Sequence, residues 1–175
     1  MGDLIFNINF RKFYSFHKKN KSDFTILAHP NDHPFDSDLL EINEKNQLLK
    51  FHNKPHKRND IGNLSSSGIF LINKKILKFI KPNIFQDLSK NILPRLLKKK
   101  IKVYAYNTRE YVKDVGTPKR INLVKKQIKT KKFINGNINK KLPAIFLDRD
   151  GVINKEYLNK HYQDPTQINK GAISA

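Results

Sequence analysis

The sequence predicts an α/β fold with a mostly parallel sheet. Short β-type runs alternate along the chain with stretches whose apolar residues recur at helical spacing. Prolines fall where a helix should open or stop, as at Pro82 and Pro118. A continuous apolar run, residues 142–147, reads as a buried strand that ends on Asp148.

Residues 3–8 read as a strand end running into a helix or turn, and 24–28 as a short strand. A loop dense in His, Pro and Asp follows over 29–38. Residues 39–43 and 47–52 read as a hairpin with Glu44-Lys45-Asn46 at its turn. Residues 67–72 form the next strand, and 74–80 a helix stopped by Pro82. Leu88, Ile92 and Leu96 give 85–99 a helical period around Pro94. A strand over 102–106 and a helix over 118–129 follow. Residues 131–141 are polar and basic, contain Gly136, and read as a linker.

The 175 residues suit one domain or two small ones, at roughly 100–200 residues each. No cysteine is present, which excludes disulfides and thiolate metal sites. No apolar run approaches the roughly 20 residues that cross a bilayer, so no membrane partner is expected. No signal segment opens the chain, and a cytoplasmic location is the expectation. The formal charge of +20 raises a nucleic-acid partner as a possibility. The lysines are scattered, however, and aromatics do not alternate with them as a stacking platform requires. The charge is read instead as a solvated basic surface that favours anionic phosphosugars.

Chemistry concentrates first near the end. An aspartate at the carboxyl end of a buried strand stands where open α/β sheets place ligands. Asp148 and Asp150, at i and i+2, would point into one crevice. One could attack phosphorus while the other moves the leaving-group proton, with Mg²⁺ offsetting carboxylate–phosphate repulsion. Gly151 would permit the turn that brings backbone amides to the phosphate. The whole string, Ala144-Ile145-Phe146-Leu147-Asp148-Arg149-Asp150-Gly151-Val152-Ile153-Asn154, resembles the haloacid-dehalogenase (HAD) branch that contains histidinol phosphatase and heptose 1,7-bisphosphate 7-phosphatase. The resemblance implies Asp148 as nucleophile and Asp150 as general acid/base. It places both at the Mg²⁺ site, Asp150 through its main-chain carbonyl, with Asn154 shaping the substrate loop. The later phosphate-binding and metal-binding residues of that family have no counterpart before Ala175.

Two strings earlier in the chain carry a second resemblance. Gly2-Asp3 stands at the start, and Tyr111-Val112-Lys113-Asp114-Val115-Gly116-Thr117-Pro118-Lys119-Arg120 precedes a helix. In this order and separation they resemble sugar-1-phosphate nucleotidyltransferases, which implies that Asp3 and Asp114 hold Mg²⁺ from two sides of a cleft. Paired carboxylates are hard oxygen donors of the kind that ion takes. Phe51-His52-Asn53-Lys54-Pro55-His56 resembles the family's Glu-Lys-Pro element, with Asn53 in place of Glu, and implies that Lys54 approaches the sugar phosphate. Residues 63–70 resemble the strand lining the sugar pocket. The 29–38 loop resembles a variant found where the two enzymes are fused. It is read as a polar pocket edge rather than a metal site, because Pro30 and Pro34 interrupt regular ligand geometry. The family's Gly-rich nucleotide loop has no counterpart among the seven glycines.

The expectation is therefore a piece of a two-enzyme fusion. Residues 1–130 would be the sugar-binding half of a Rossmann-like nucleotidyltransferase sheet, 131–141 a linker, and 142–175 the first strand and loop of a HAD Rossmannoid domain. The parent protein would hydrolyse a heptose bisphosphate and join the sugar 1-phosphate to a nucleotide, taking sugar phosphates and a nucleoside triphosphate. This piece is expected to be inactive. A stand-alone HAD phosphatase and a basic nucleic-acid-binding protein are the alternatives.

Overall fold

The computed structural model describes residues 3–31, 33–56, 62–144, 146–148, 152–153 and 168–169. The chain divides into two compact units, Met1–Lys140 and Lys141–Ala175. The first unit holds β1 (Leu4–Asn7), α1 (Phe10–Lys19), β2 (Phe24–Pro30), β3 (Leu39–Ile42), β4 (Leu48–His52), β5 (Leu64–Ile72), α2 (Leu93–Lys98), β6 (Val103–Asn107), β7 (Tyr111–Asp114), α3 (Pro118–Lys129) and α4 (Lys132–Asn135). Among the described residues no helix is long and apolar enough to cross a membrane.

Five strands form one mixed sheet in the order β4-β3-β5-β2-β6, and β1 pairs with β7 in a separate antiparallel ribbon. The expectation of a mostly parallel sheet is corrected. Among the described residues only β2 and β6 run parallel, while β2–β5, β3–β5 and β3–β4 are antiparallel. The reason lies in the connections. The Asn43–Gln47 turn is too short for anything but a hairpin, whereas the chain between Pro30 of β2 and Val103 of β6 is long enough for the crossover that parallel partners need.

Alternation along β2 supplies both layers of the core. Phe24, Ile26 and Ala28 join Ile76, Leu93, Leu96, Val103 and Ala105 on one side. Leu27 packs with Ile8, Phe13 and Val112 on the other. β2 can bury both faces because it is flanked by β5 and β6 and has helical segments above and below. Its inward Thr25 donates to Ser22 Oγ at 2.9 Å, so the hydroxyl accepts from His17 Nδ1–H of α1 at 2.7 Å. Burial, then Lys18, push the His17 pKa below its ordinary value against the opposing pull of Asp23.

Local chemistry explains the irregular elements. Asn9 caps α1 by accepting from Lys12 N–H. The stretch read as a helix over 74–80 is a 3₁₀ segment, Lys74–Phe79, capped by Asn73. The helical period over 85–99 divides into a π-type turn, Leu88–Ile92, and α2, with Pro94 in the first turn where its missing N–H costs nothing. Strand β7 falls within the string read only as leading into a helix.

Residues 131–140 belong to the first unit and are tied to its strands. Tyr111 N–H donates to Gly136 O at 2.7 Å, and Phe133 packs edge-on against the Tyr111 ring. Buried Glu110 accepts from Asn9 N–H at 2.8 Å, Ile138 N–H at 3.1 Å and the Thr108 hydroxyl at 3.1 Å. One carboxylate thus joins the start of α1, the approach to β7 and the exit from α4.

The buried strand expected over 142–147 is also corrected. Residues 142–144 and 146–148 form no strand, and Phe146 is 96% and Leu147 64% exposed. Apolar composition supports a strand only where neighbours cover its side chains and pair its backbone. In the second unit, Asn169 donates from its backbone to Ile153 O at 2.8 Å and from its side chain to Val152 O at 3.0 Å.

Candidate active site

The first unit contains a cleft of about 450 Å³ lined by parts of β1, β5, β7, the 29–38 loop, the 85–89 segment and the start of α3. Antiparallel pairing of β1 with β7 creates its acidic end. Leu4 lies opposite Asp114, and Val115 N–H closes the ladder on Asp3 O at 2.8 Å. Asp3, across from Val115, and Asp114, across from Leu4, thus stand at the same end of the ribbon. A Cβ on Gly116 would meet Asp3 Oδ2 at 3.2 Å and Asp114 Oδ2 at 3.7 Å, so both oxygens converge over this glycine. A side chain there would crowd the space between the carboxylates.

Thr117 then caps α3 by accepting from Arg120 N–H, with Pro118 in the first turn. This puts the Arg120 guanidinium at a helix N-terminus, where the helix dipole disfavours a cation. Two carboxylates offset that. Arg120 Nη1 donates to Asp114 Oδ2 at 2.5 Å and Nη2 to Asp36 Oδ2 at 2.9 Å. Desolvation alone would lower the Arg120 pKa, but Asp36 and Asp114 outweigh it and raise it. For Asp36, desolvation pulls upward and is outweighed by the His33 and Arg120 hydrogen bonds, leaving its pKa below the usual carboxylate value.

The 29–38 loop forms the cleft's polar rim and is braced from three directions. His33 Nδ1 holds Asp36 Oδ1 at 2.7 Å, and His56 Nε2 lies 3.0 Å from Pro34 O and 3.2 Å from Ser37 O. Lys54 N–H donates to Asp38 Oδ1 at 2.9 Å, which sets the Lys54 side chain at the cleft. Among the described residues no group of three or more His, Asp or Glu could hold a metal ion. The wall opposite is a bulge. Ile26 pairs with Phe70 and Ala28 with Ser66, so β5 carries extra residues there, and Gly68 takes φ +78°. Only glycine enters that region without strain. Ser67 Oγ donates to Leu27 O at 2.9 Å, stitching the bulge to β2.

The structure thus brings Asp3, Asp114 and Lys54 to one cleft. Asp148 belongs to the second unit and is exposed, while Asp150 and Asn154 lie outside the described residues. Arg120 and Asp36 were not singled out in the sequence. A base in the first turn of a Thr-capped helix, against the dipole, was the available signal for Arg120. Asp36 stood only within the loop read as a polar pocket edge, with nothing to pair it with Arg120, 84 residues away.

The nucleotidyl transferase family model matches residues 1–131. The chain belongs to this family. Two similar nucleotidyltransferases are the glucose-1-phosphate adenylyltransferases of Clostridium acetobutylicum, 36% identical over 124 residues, and Mycoplasma mobile, 35% identical over 124 residues. Each match takes in 66% of this chain and 32% of the relative, so the chain spans under half the length of these curated nucleotidyltransferases. A solved Bacillus anthracis protein, described as a glucose-1-phosphate thymidylyltransferase in complex with sucrose, shares the fold with a TM-score of 0.59 at 19% identity. That match covers 70% of this chain and 50% of the other.

These comparisons correct the expected function. They support a nucleotidyltransferase and give no support to a HAD phosphatase partner or to hydrolysis of a heptose bisphosphate. The phosphatase reading drew in part on Asp148 ending a buried strand, and the described residues 142–144 and 146–147 form no strand.

Proposed function

We propose that the cleft is the sugar-phosphate side of a nucleotidyltransferase active site that works in nucleotide-sugar biosynthesis. The convergence of Asp3 and Asp114 over Gly116 carries this reading. Their oxygens are hard donors in a site open to further oxygen ligands, which suits Mg²⁺. When bound, Mg²⁺ would neutralise phosphate charge as it builds up during transfer. Lys54 would meet the sugar phosphate from the opposite rim, and the Ser65–Gly68 wall would offer hydrogen-bonding groups to sugar hydroxyls. Transfer proper joins a phosphate oxygen of the sugar 1-phosphate to the α-phosphorus of a nucleoside triphosphate, with pyrophosphate leaving. It is proposed for the enzyme as a whole. The names of the relatives make glucose 1-phosphate the first substrate to try.

Calorimetry provides the test. Glucose 1-phosphate with Mg²⁺ should show saturable binding, and Lys54→Ala should weaken it about 10-fold, equivalent to 1.4 kcal/mol. Glucose itself should bind far more weakly than its phosphate. Equal binding of glucose and glucose 1-phosphate, or an unchanged affinity in Lys54→Ala, would remove the phosphate site from this cleft.

A further inference from the structure

We infer that Arg120 and a divalent cation compete for the same oxygen of Asp114, and that Asp36 is the seat to which Arg120 withdraws when the cation binds. This rests on the reading of Asp3 and Asp114 as the metal pair. Asp114 Oδ2 is the oxygen that converges with Asp3 Oδ2 over Gly116. It is also the oxygen that accepts from Arg120 Nη1 at 2.5 Å. An ion placed between the two aspartates therefore meets an atom already engaged by a guanidinium.

The second arm of the fork makes exchange possible. Arg120 Nη2 is bonded to Asp36 Oδ2 at 2.9 Å, independently of Asp114. Asp36 is held in turn through its other oxygen by His33 at 2.7 Å. His56 Nε2, close to Pro34 O and Ser37 O, helps fix the loop that carries it. Arg120 can release Asp114 and keep a charged partner, so its positive charge need not return to water unpaired. A lysine, with a single ammonium in place of a planar fork, could not hold both carboxylates in this way. Arg120 is thus a positioning residue. It keeps Asp114 compensated until the cation replaces it, and it sets how tightly the cation is held.

Mn²⁺ binding to the full chain, followed by electron paramagnetic resonance, reads this directly. Arg120→Gln should bind Mn²⁺ roughly 3- to 10-fold more tightly than wild type, the range expected when a part-exposed ion pair stops competing. Asp36→Asn should bind it more weakly, because Arg120 then has only Asp114. The double variant should match Arg120→Gln, since the effect of Asp36 runs through Arg120. Lys119→Gln removes an equal charge from the neighbouring, exposed position and should change affinity by less than about 2-fold. Unchanged or weaker Mn²⁺ binding in Arg120→Gln, or an equal gain in Lys119→Gln, overturns the competition. The metal pair still stands in that case if Asp114→Asn loses the ion. Wild-type affinity in Asp114→Asn, or no ion bound by wild type and Arg120→Gln alike, overturns the metal pair and the competition with it.

Discussion

Asp114→Asn should lower divalent-cation affinity by about 100-fold or more, since changes even to outer-shell partners of metal ligands cost roughly 10–100-fold. The amide keeps the shape of the side chain but removes the charge from the point where β1 and β7 bring two carboxylates together. Mg²⁺-dependent affinity for glucose 1-phosphate should fall with it. The fold should survive, because Asp114 is the last residue of a strand and its ion pair with Arg120 is part-exposed, worth at most about 1 kcal/mol. Thermal unfolding of the variant separates the two effects. A large loss of stability together with retained cation binding would mean that Asp114 is a structural anchor rather than a ligand.

Phe24→Ala should be the most damaging change to the fold. Phe24 is fully buried on β2, between β5 and β6, and its ring centroid lies 5.2 Å from that of Phe70. Truncating a buried Phe costs about 3–5 kcal/mol, a large share of the 5–15 kcal/mol that usually holds a protein together. Chemical denaturation should show the midpoint falling sharply with little change in slope. A loss below about 1 kcal/mol would mean that the core does not centre on β2.

What the sequence revealed depended on how local each signal was. The helix over 118–129 was legible because Thr117 and Pro118 mark its start next to its own apolar period, and it coincides with α3. The β3–β4 hairpin was legible for the same reason. Strand direction was not, because pairing of β2 with β5 on one side and β6 on the other depends on contacts far apart in sequence. Strand β7 has four residues, two of them charged, and its partner β1 is more than a hundred residues away. The apolar run at 142–147 shows the opposite error. Its composition is that of a buried strand, yet Phe146 and Leu147 are exposed.

The site divides in the same way. Asp3, Asp114 and Lys54 were found through short strings that resemble a family, and the fold places them around one cleft. Arg120 and Asp36 belong to it through a fork between a helix and a distant loop, which no short string encodes. The same kind of string also misled. Asp148, Asp150 and Asn154 matched a phosphatase motif, and the function drawn from it did not stand beside a nucleotidyl transferase match over residues 1–131.

A divalent-cation site formed jointly by Asp3 and Asp114 is what the proposed function requires. Crystals soaked in Mn²⁺ and measured at its absorption edge test it most directly. One anomalous peak is expected in the cleft, about 2.1 Å from a carboxylate oxygen of each aspartate, with Arg120 turned from Asp114 toward Asp36. A peak elsewhere, or no peak between Asp3 and Asp114 at saturating Mn²⁺, would contradict it.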